Sequence, residues 1–224
     1  MSSRTEDNRL LRGAGQFMEN IESDDAAYIS FVRSTSARAK ITSIDTGAAL
    51  EQPGVIAVFT AADVDLEPFP SPIPANNQQM LRPWIAGKAV RYVGEIVAIV
   101  VSDTLKQGID AGEFVVVEYD DLYPVVSPED AVTDVVLVDE KALTNISLEL
   151  TTGSDESLFD DCEVVVKQRI VNNRVAPCPI ESRGAISRWD GSSLQQWSTT
   201  QSAHAVRDGL CRIFGLAPEN VRVV

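Results

Sequence analysis

Gln201 stands where chemistry is to be expected. Trp197-Ser198-Thr199-Thr200 hands over at this residue to a predicted helix that begins near Ser202. The first N–H groups of a helix lack intrahelical partners and carry partial positive charge. A neutral amide beside them both donates and accepts, which suits an oxygen-rich or anionic cofactor. The plainer reading is a polar residue at a helix start. His204 and Asp208 lie four apart on the same helix, the spacing of a base and its orienter. A triad also needs a nucleophile, and the chain has no Gly-x-Ser-x-Gly elbow, so an exposed helix pair is the simpler account. Glu118, Asp120 and Asp121 place three carboxylates near one strand end, where they either bind a hard cation or sit as solvated turn acids. Glu181 and Arg183 follow Pro177-Cys178-Pro179-Ile180 and either pair with each other or hold backbone amides. Gly13-Ala14-Gly15 is followed by Met18 where a dinucleotide fingerprint needs glycine, and no strand precedes it, which leaves a glycine-permitted bend. The chain has one histidine and three widely spaced cysteines, Cys162, Cys178 and Cys211, so no metal ligand set is assigned. No residue is assigned as catalytic.

The elements that must position these residues follow from pattern. Residues 4–20 read as polar, extended and broken by glycine. Ala27 to Arg33 alternates as a strand. Asp45 caps a short helix through Leu50 that Pro53-Gly54 stops, and Val55–Phe59 is a buried strand. Residues 65–88 hold five prolines and form a long ordered loop or arm. The apolar run Ile96–Val101 is a strand, Asp103 caps a helix striped by Leu105 and Ile109, and Phe114–Tyr119 is another strand. The weakly patterned residues 139–155 hold the domain boundary. Beyond it Cys162–Val171 and Ala185–Trp189 alternate like antiparallel strands, Asp190-Gly191 turns, and Leu194–Trp197 returns. Ser202 caps a helix striped by Ala203, Val206, Leu210 and Ile213, with Asp208 and Arg212 paired on its outer face. Gly215 ends it, and Val221–Val224 opens a further strand.

Composition bounds the function classes. The 224 residues are 44% hydrophobic and 23% charged, as in ordinary globular chains. No apolar run reaches the roughly 20 residues of a membrane span, and the amino terminus has no apolar signal region. The net charge of −14 disfavours nucleic acid and anionic membranes as partners. Residues 103–163 alone carry 17 acids against Lys106 and Lys141. That stretch is either a solubilising face or a surface turned toward a partner. The unpaired cysteines suit buried thiols in a reducing, cytoplasmic setting.

An ordered set of segments is similar to the large, molybdenum-binding subunit of the xanthine dehydrogenase/aldehyde oxidase family, in its bacterial carbon monoxide dehydrogenase-like branch. The set begins with Arg4 to Phe17, Phe31-Val32-Arg33-Ser34, Pro53 to Val58 and Arg91-Tyr92-Val93-Gly94-Glu95. It continues through Leu122-Tyr123-Pro124, Asn173 to Pro177, Ile180 to Gly184, Trp197 to Gln201 and Gly215 to Val223. The resemblance implies an α+β chain. Residues 1–140 would be an arm with an α/β hammerhead domain, and residues 141–224 the beginning of a mixed α+β molybdenum-cofactor-binding domain. It implies a hydroxylase that oxidises a small substrate with water-derived oxygen. It implies molybdenum-molybdopterin, in the cytosine dinucleotide form, with [2Fe-2S] and FAD centres on partner subunits. By position Gln201 matches the family glutamine whose amide approaches an oxygen ligand of molybdenum. The pattern departs at Thr35-Ser36-Ala37, where the family often has Pro-His-Ala, and nothing here matches its glycine-rich run after Val224 or its base glutamate. The expectation is therefore an N-terminal piece of a larger subunit, inactive by itself, with the remainder of that subunit and the iron–sulfur and flavin subunits as partners. The alternative is a non-catalytic scaffold that docks partner subunits through the acidic stretch or the proline-rich loop.

Overall fold

A computed structural model describes residues 5, 7–21, 23, 25–68, 71, 73–153, 155, 157–179 and 181–224. The expectations resting on Arg4, Pro70, Pro72 and Ile180 lie outside the described residues. The chain divides into two compact units, one spanning Asp25–Gly153 and the other Ser154–Val224 together with Met1–Asp24.

In the first unit β1 (Tyr28–Arg33), β2 (Ala39–Asp45), α2 (Gly47–Leu50), β3 (Val55–Phe59), β4 (Ala89–Val90), β5 (Ile96–Ser102), α3 (Leu105–Gly112), β6 (Val116–Asp121) and α4 (Pro128–Ala131) follow in order. The label α1 belongs to Asp7–Leu11 of the second unit. Two antiparallel sheets form, ordered β1-β5-β3 and β4-β2-β6. β5 takes the centre of its sheet because it is apolar on both faces, and Val97, Ala98 and Val100 are fully buried. The core is built from small residues. Ala49, Ala98, Val100, Ala111 and Val115 form one cluster and Ala39, Ala86, Val90 and Val97 a second. Small side chains let α3 approach the sheet closely: a Cβ on Gly108 would lie 2.5 Å from Ser102 Oγ and 2.7 Å from Ser30 Oγ.

Caps fall on neighbours of the predicted residues. Thr104, not Asp103, caps α3, its hydroxyl accepting from the Gln107 amide. The Asp103 N–H is committed to the Gly54 carbonyl at 2.8 Å. Thr46 precedes α2, while the Asp45 carboxylate accepts the Gly47 N–H at 2.9 Å. Among the described residues of the proline-rich stretch Gln78–Met80 form a 3₁₀ turn, Trp84 Nε1 donates to the Glu67 carbonyl at 2.7 Å, and the Asn77 N–H donates to the Ser147 carbonyl at 2.8 Å. Glu95 is 3% exposed. Its Oε2 accepts the Arg91 backbone N–H at 2.6 Å, and its Oε1 lies 3.2 Å from the Arg91 guanidinium, which also reaches Asp139 at 3.4 Å. That chain of charges ties the segment after α4 back onto the sheet. Asn145 completes the tie by donating to the Ala131 and Val136 carbonyls.

The second unit contains β7 (Ala185–Trp189), β8 (Leu194–Ser198), α5 (Ala203–Phe214) and β9 (Val221–Val223). β7 and β8 form an antiparallel hairpin, and β9 lies parallel to β8, so α5 is the crossover of a βαβ unit. Two expectations fail here. Residues 4–20 are not wholly extended: Asp7–Leu11 is a one-turn helix that Gly13 closes at φ +70°, and Met18–Asn20 is a 3₁₀ turn. Cys162–Val171 is not a strand. Its alternation is real, but a strand is stabilised by the neighbour it pairs with, and the described residues offer none there. Val166 and Ile170 are each 84% exposed.

Candidate cofactor-binding site

The hairpin's register brings Ala185 opposite Ser198, so the end of β8 sits beside the start of β7. Thr199 locks this junction. Its N–H donates to the Gly184 carbonyl at 3.1 Å, and its hydroxyl accepts the Gly184 N–H at 2.8 Å. The next hydroxyl, Thr200 Oγ1, accepts the Ser202 N–H at 3.1 Å, and Ser202 Oγ accepts the Ala205 N–H at 3.3 Å as the cap of α5. Gln201 thus stands between hydrogen-bonded neighbours. Its side chain is exposed, and its amide makes no hydrogen bond among the described residues. The threonines were missed in the sequence; the signal was present as two adjacent hydroxyl residues between an alternating strand and a capped helix.

α5 itself is what the sequence pattern implies. Ser202 caps it and Gly215 ends it at φ +63°, with the Gly215 N–H donated to the Cys211 carbonyl. Its outer face differs in one pair. Asp208 accepts from the adjacent Arg207 at 2.8 Å, not from Arg212. Among the described residues no hydrogen bond or ion pair joins His204 to Asp208.

The remaining candidates resolve into structural roles. Glu181 Oε1 accepts the Met18 N–H at 2.9 Å, and Ser182 Oγ donates to Glu19 at 3.2 Å, so this segment holds the amino-terminal arm. The carboxylate thus serves a backbone amide and not Arg183. Glu118 and Asp121 accept from the hydroxyls of Ser43 (2.8 Å) and Ser36 (2.6 Å). No group of three or more His, Cys, Asp or Glu side chains able to hold a metal occurs among the described residues. The cysteines are free, but Cys162 and Cys178 are exposed and Cys211 half-buried, which corrects the expectation of buried thiols. At the hairpin tip Asp190 accepts from the amides and hydroxyls of Ser192 and Ser193, and these bonds hold its carboxyl far below the ordinary range.

The donors open at the β8–α5 junction are the N–H bonds of the neutral Gln201 amide, the Ser202 and Ala205 N–H groups being taken by hydroxyls. They fit a group that brings its own metal and needs only hydrogen-bond donors from the protein. Comparisons with known proteins agree with such a group. Residues 12–123 match the aldehyde oxidase and xanthine dehydrogenase a/b hammerhead domain, and residues 138–224 match the molybdopterin cofactor-binding domain. The large subunit of nicotine 6-hydroxylase from Paenarthrobacter nicotinovorans is 34% identical over 99% of this chain. The carbon monoxide dehydrogenase large chain of Hydrogenophaga pseudoflava is 30% identical over 98%. The crystal structure of quinoline 2-oxidoreductase from Pseudomonas putida 86 superimposes on 98% of the chain with a TM-score of 0.84 at 27% identity, covering 29% of that structure. The chain belongs to the xanthine dehydrogenase/aldehyde oxidase family of molybdenum enzymes. It spans 28% and 29% of the two curated relatives. No helix among the described residues is long and apolar enough to cross a membrane.

Proposed function

We propose that this chain supplies the hammerhead domain, residues 1–140 with their arm, and the opening of the cofactor-binding domain, residues 141–224, of a molybdenum hydroxylase large subunit. Gln201 is its contact with the bound cofactor. The observation that carries this is the exposed Gln201 side chain, which makes no hydrogen bond among the described residues and stands between the hydrogen-bonded Thr199 and the cap of α5. The molybdenum-molybdopterin group, in its cytosine dinucleotide form, supplies two-electron oxidation of a small substrate with water-derived oxygen, and [2Fe-2S] and FAD centres on partner subunits take the electrons.

The protein's share is placement. The amide of Gln201 would donate to an oxygen atom of the group, and the Thr200 and Ser202 hydroxyls take up the Ser202 and Ala205 N–H groups, so those do not claim the amide oxygen of Gln201. An amide dipole aimed in advance costs no reorganisation when charge shifts during reaction. A neutral side chain also leaves the net charge of the centre unchanged. The free thiols fit assembly in a reducing cytoplasm.

The test is Gln201→Ala in the assembled enzyme. Loss of one preorganised donor lowers kcat by about 100-fold, with molybdenum content per subunit unchanged. Unaltered kcat at full molybdenum content overturns the role of Gln201. Loss of molybdenum with kcat per metal unchanged shows retention without a share in turnover.

A further inference from the structure

Within the second unit the amino-terminal arm meets the segment ahead of β7. The 3₁₀ turn Met18–Asn20 offers the Met18 N–H, which Glu181 Oε1 accepts at 2.9 Å. Ser182 Oγ donates to Glu19 Oε1 at 3.2 Å. Met18 also packs on Gly184, where a Cβ would lie 3.1 Å from Met18 Cγ. The same short segment grips Thr199 on its other side. The Thr199 hydroxyl lies 3.2 Å from the Ser182 carbonyl and 3.1 Å from the Gly184 carbonyl, donating to one of them, and it accepts the Gly184 N–H at 2.8 Å. Gln201 follows two residues on. Residues 181–184 therefore stand between the arm and the β8–α5 junction.

We propose that the arm positions Gln201: the 3₁₀ turn holds Glu181 and Ser182, and these set the place of Thr199 and so of the amide beyond it. Glu181 is a positioning residue that acts through Thr199 without touching the cofactor. A carboxylate that accepts a backbone N–H makes a charge-assisted bond, stronger than a neutral one. This bond joins residues 163 apart in sequence, so it fixes a contact that local chain geometry does not. Packing gives the segment little help. Residues 171–179 before it are exposed and irregular, and the buried apolar side chains described in this unit are Leu194 and Val221. The inference rests on the reading of Gln201 as the cofactor contact.

The test is a double-mutant cycle in the assembled enzyme. Glu181→Ala removes the acceptor, and Glu181→Gln keeps an acceptor oxygen at the same reach. Displacement of a positioned group is costly, so Glu181→Ala should lower kcat by about tenfold with KM nearly unchanged. It should also shift the g-values of the partially reduced molybdenum centre and speed amide exchange at Gly184, and Glu181→Gln should restore all three. In the Gln201→Ala background Glu181→Ala should change kcat by less than about twofold, because its route is already removed. Met18→Pro deletes the same bond from the other partner. Proline suits the first position of a helical turn, and Phe17 before it is already extended at φ −104° and ψ 168°. This variant carries the test if Glu181→Ala does not assemble. Unchanged kcat and g-values in the variant that assembles, beside a damaged Gln201→Ala enzyme, overturn this inference alone. Losses that add to those of Gln201→Ala, or failure of both variants to assemble, make the contact a folding tie and also overturn it. An unaltered Gln201→Ala enzyme overturns the reading of Gln201, and this inference with it.

Discussion

The unit spanning Asp25–Gly153 and the unit containing β7, β8, α5 and β9 solve the problem of burial differently. The first has two core clusters, a fully buried central strand and a charge chain through Glu95 that pins its loops. Among its described residues the second has Leu194 and Val221 as buried apolar residues, and none in α5. The stretch Cys162–Val171 of the same unit lies exposed. The contrast teaches where rigidity is needed. The hammerhead unit holds its shape by packing. The cofactor-side unit instead fixes one short junction by hydrogen bonds at Thr199, Thr200 and Ser202, and leaves broad apolar surface open.

Substitutions can break or sharpen this contrast. The largest difference should appear at buried against exposed valines. Val100→Ala should destabilise its unit by about 2–3 kcal/mol in urea unfolding, because it removes methyl groups from a closed core. Val166→Ala should change stability by less than about 0.5 kcal/mol. Glycines in the two helices should respond with opposite signs. Gly108→Ala drives a Cβ into Ser30 and Ser102 and should cost about 1–3 kcal/mol by overpacking. Gly209→Ala meets open space within α5 and should gain about 0.5–1 kcal/mol from helix propensity. Ser202→Ala should cost about 1 kcal/mol by uncapping α5, read as lost helical ellipticity on partial denaturation, and it should also loosen the backbone beside Gln201.

The smallest effect belongs to Asp190. Its folded pKa lies below the ordinary 3.8, so its contribution to the hairpin is complete above about pH 4 and fades as pH falls through the lowered value. Asp190→Asn should flatten the acid limb of the unfolding curve of this unit by lowering neutral-pH stability slightly, toward the level of the protonated carboxyl, and leave low-pH stability nearly unchanged. Its full exposure to solvent keeps the effect small.

Much of the hammerhead unit was legible because its strands are short apolar runs between turn residues. Val55–Phe59 and the run in β5 appear where the pattern placed them. β2 was less visible, since Ala39 to Asp45 mixes Lys40, Thr42 and Ser43 with its apolar residues and is buried mainly at Ala39. α5 was legible because stripe, cap and terminating glycine all agree. Capping at the start of α3 misled by one residue, since Asp103 and Thr104 are both good cap types and it is the Thr104 hydroxyl that accepts the Gln107 N–H. Cys162–Val171 misled because alternation reports a tendency to pair and not the presence of a partner. For the site, the position of Gln201 was visible in the sequence. That its amide is left free, while both flanking hydroxyls are occupied, is a property of the three-dimensional junction.

The central claim is that the Gln201 amide touches the bound cofactor. The most direct measurement is the electron paramagnetic resonance spectrum of the partially reduced molybdenum centre in the assembled enzyme, compared between the natural sequence and Gln201→Ala. A hydrogen bond from the amide alters electron density at the metal, so the account predicts shifted g-values at equal signal intensity per molybdenum. Superimposable spectra would contradict it.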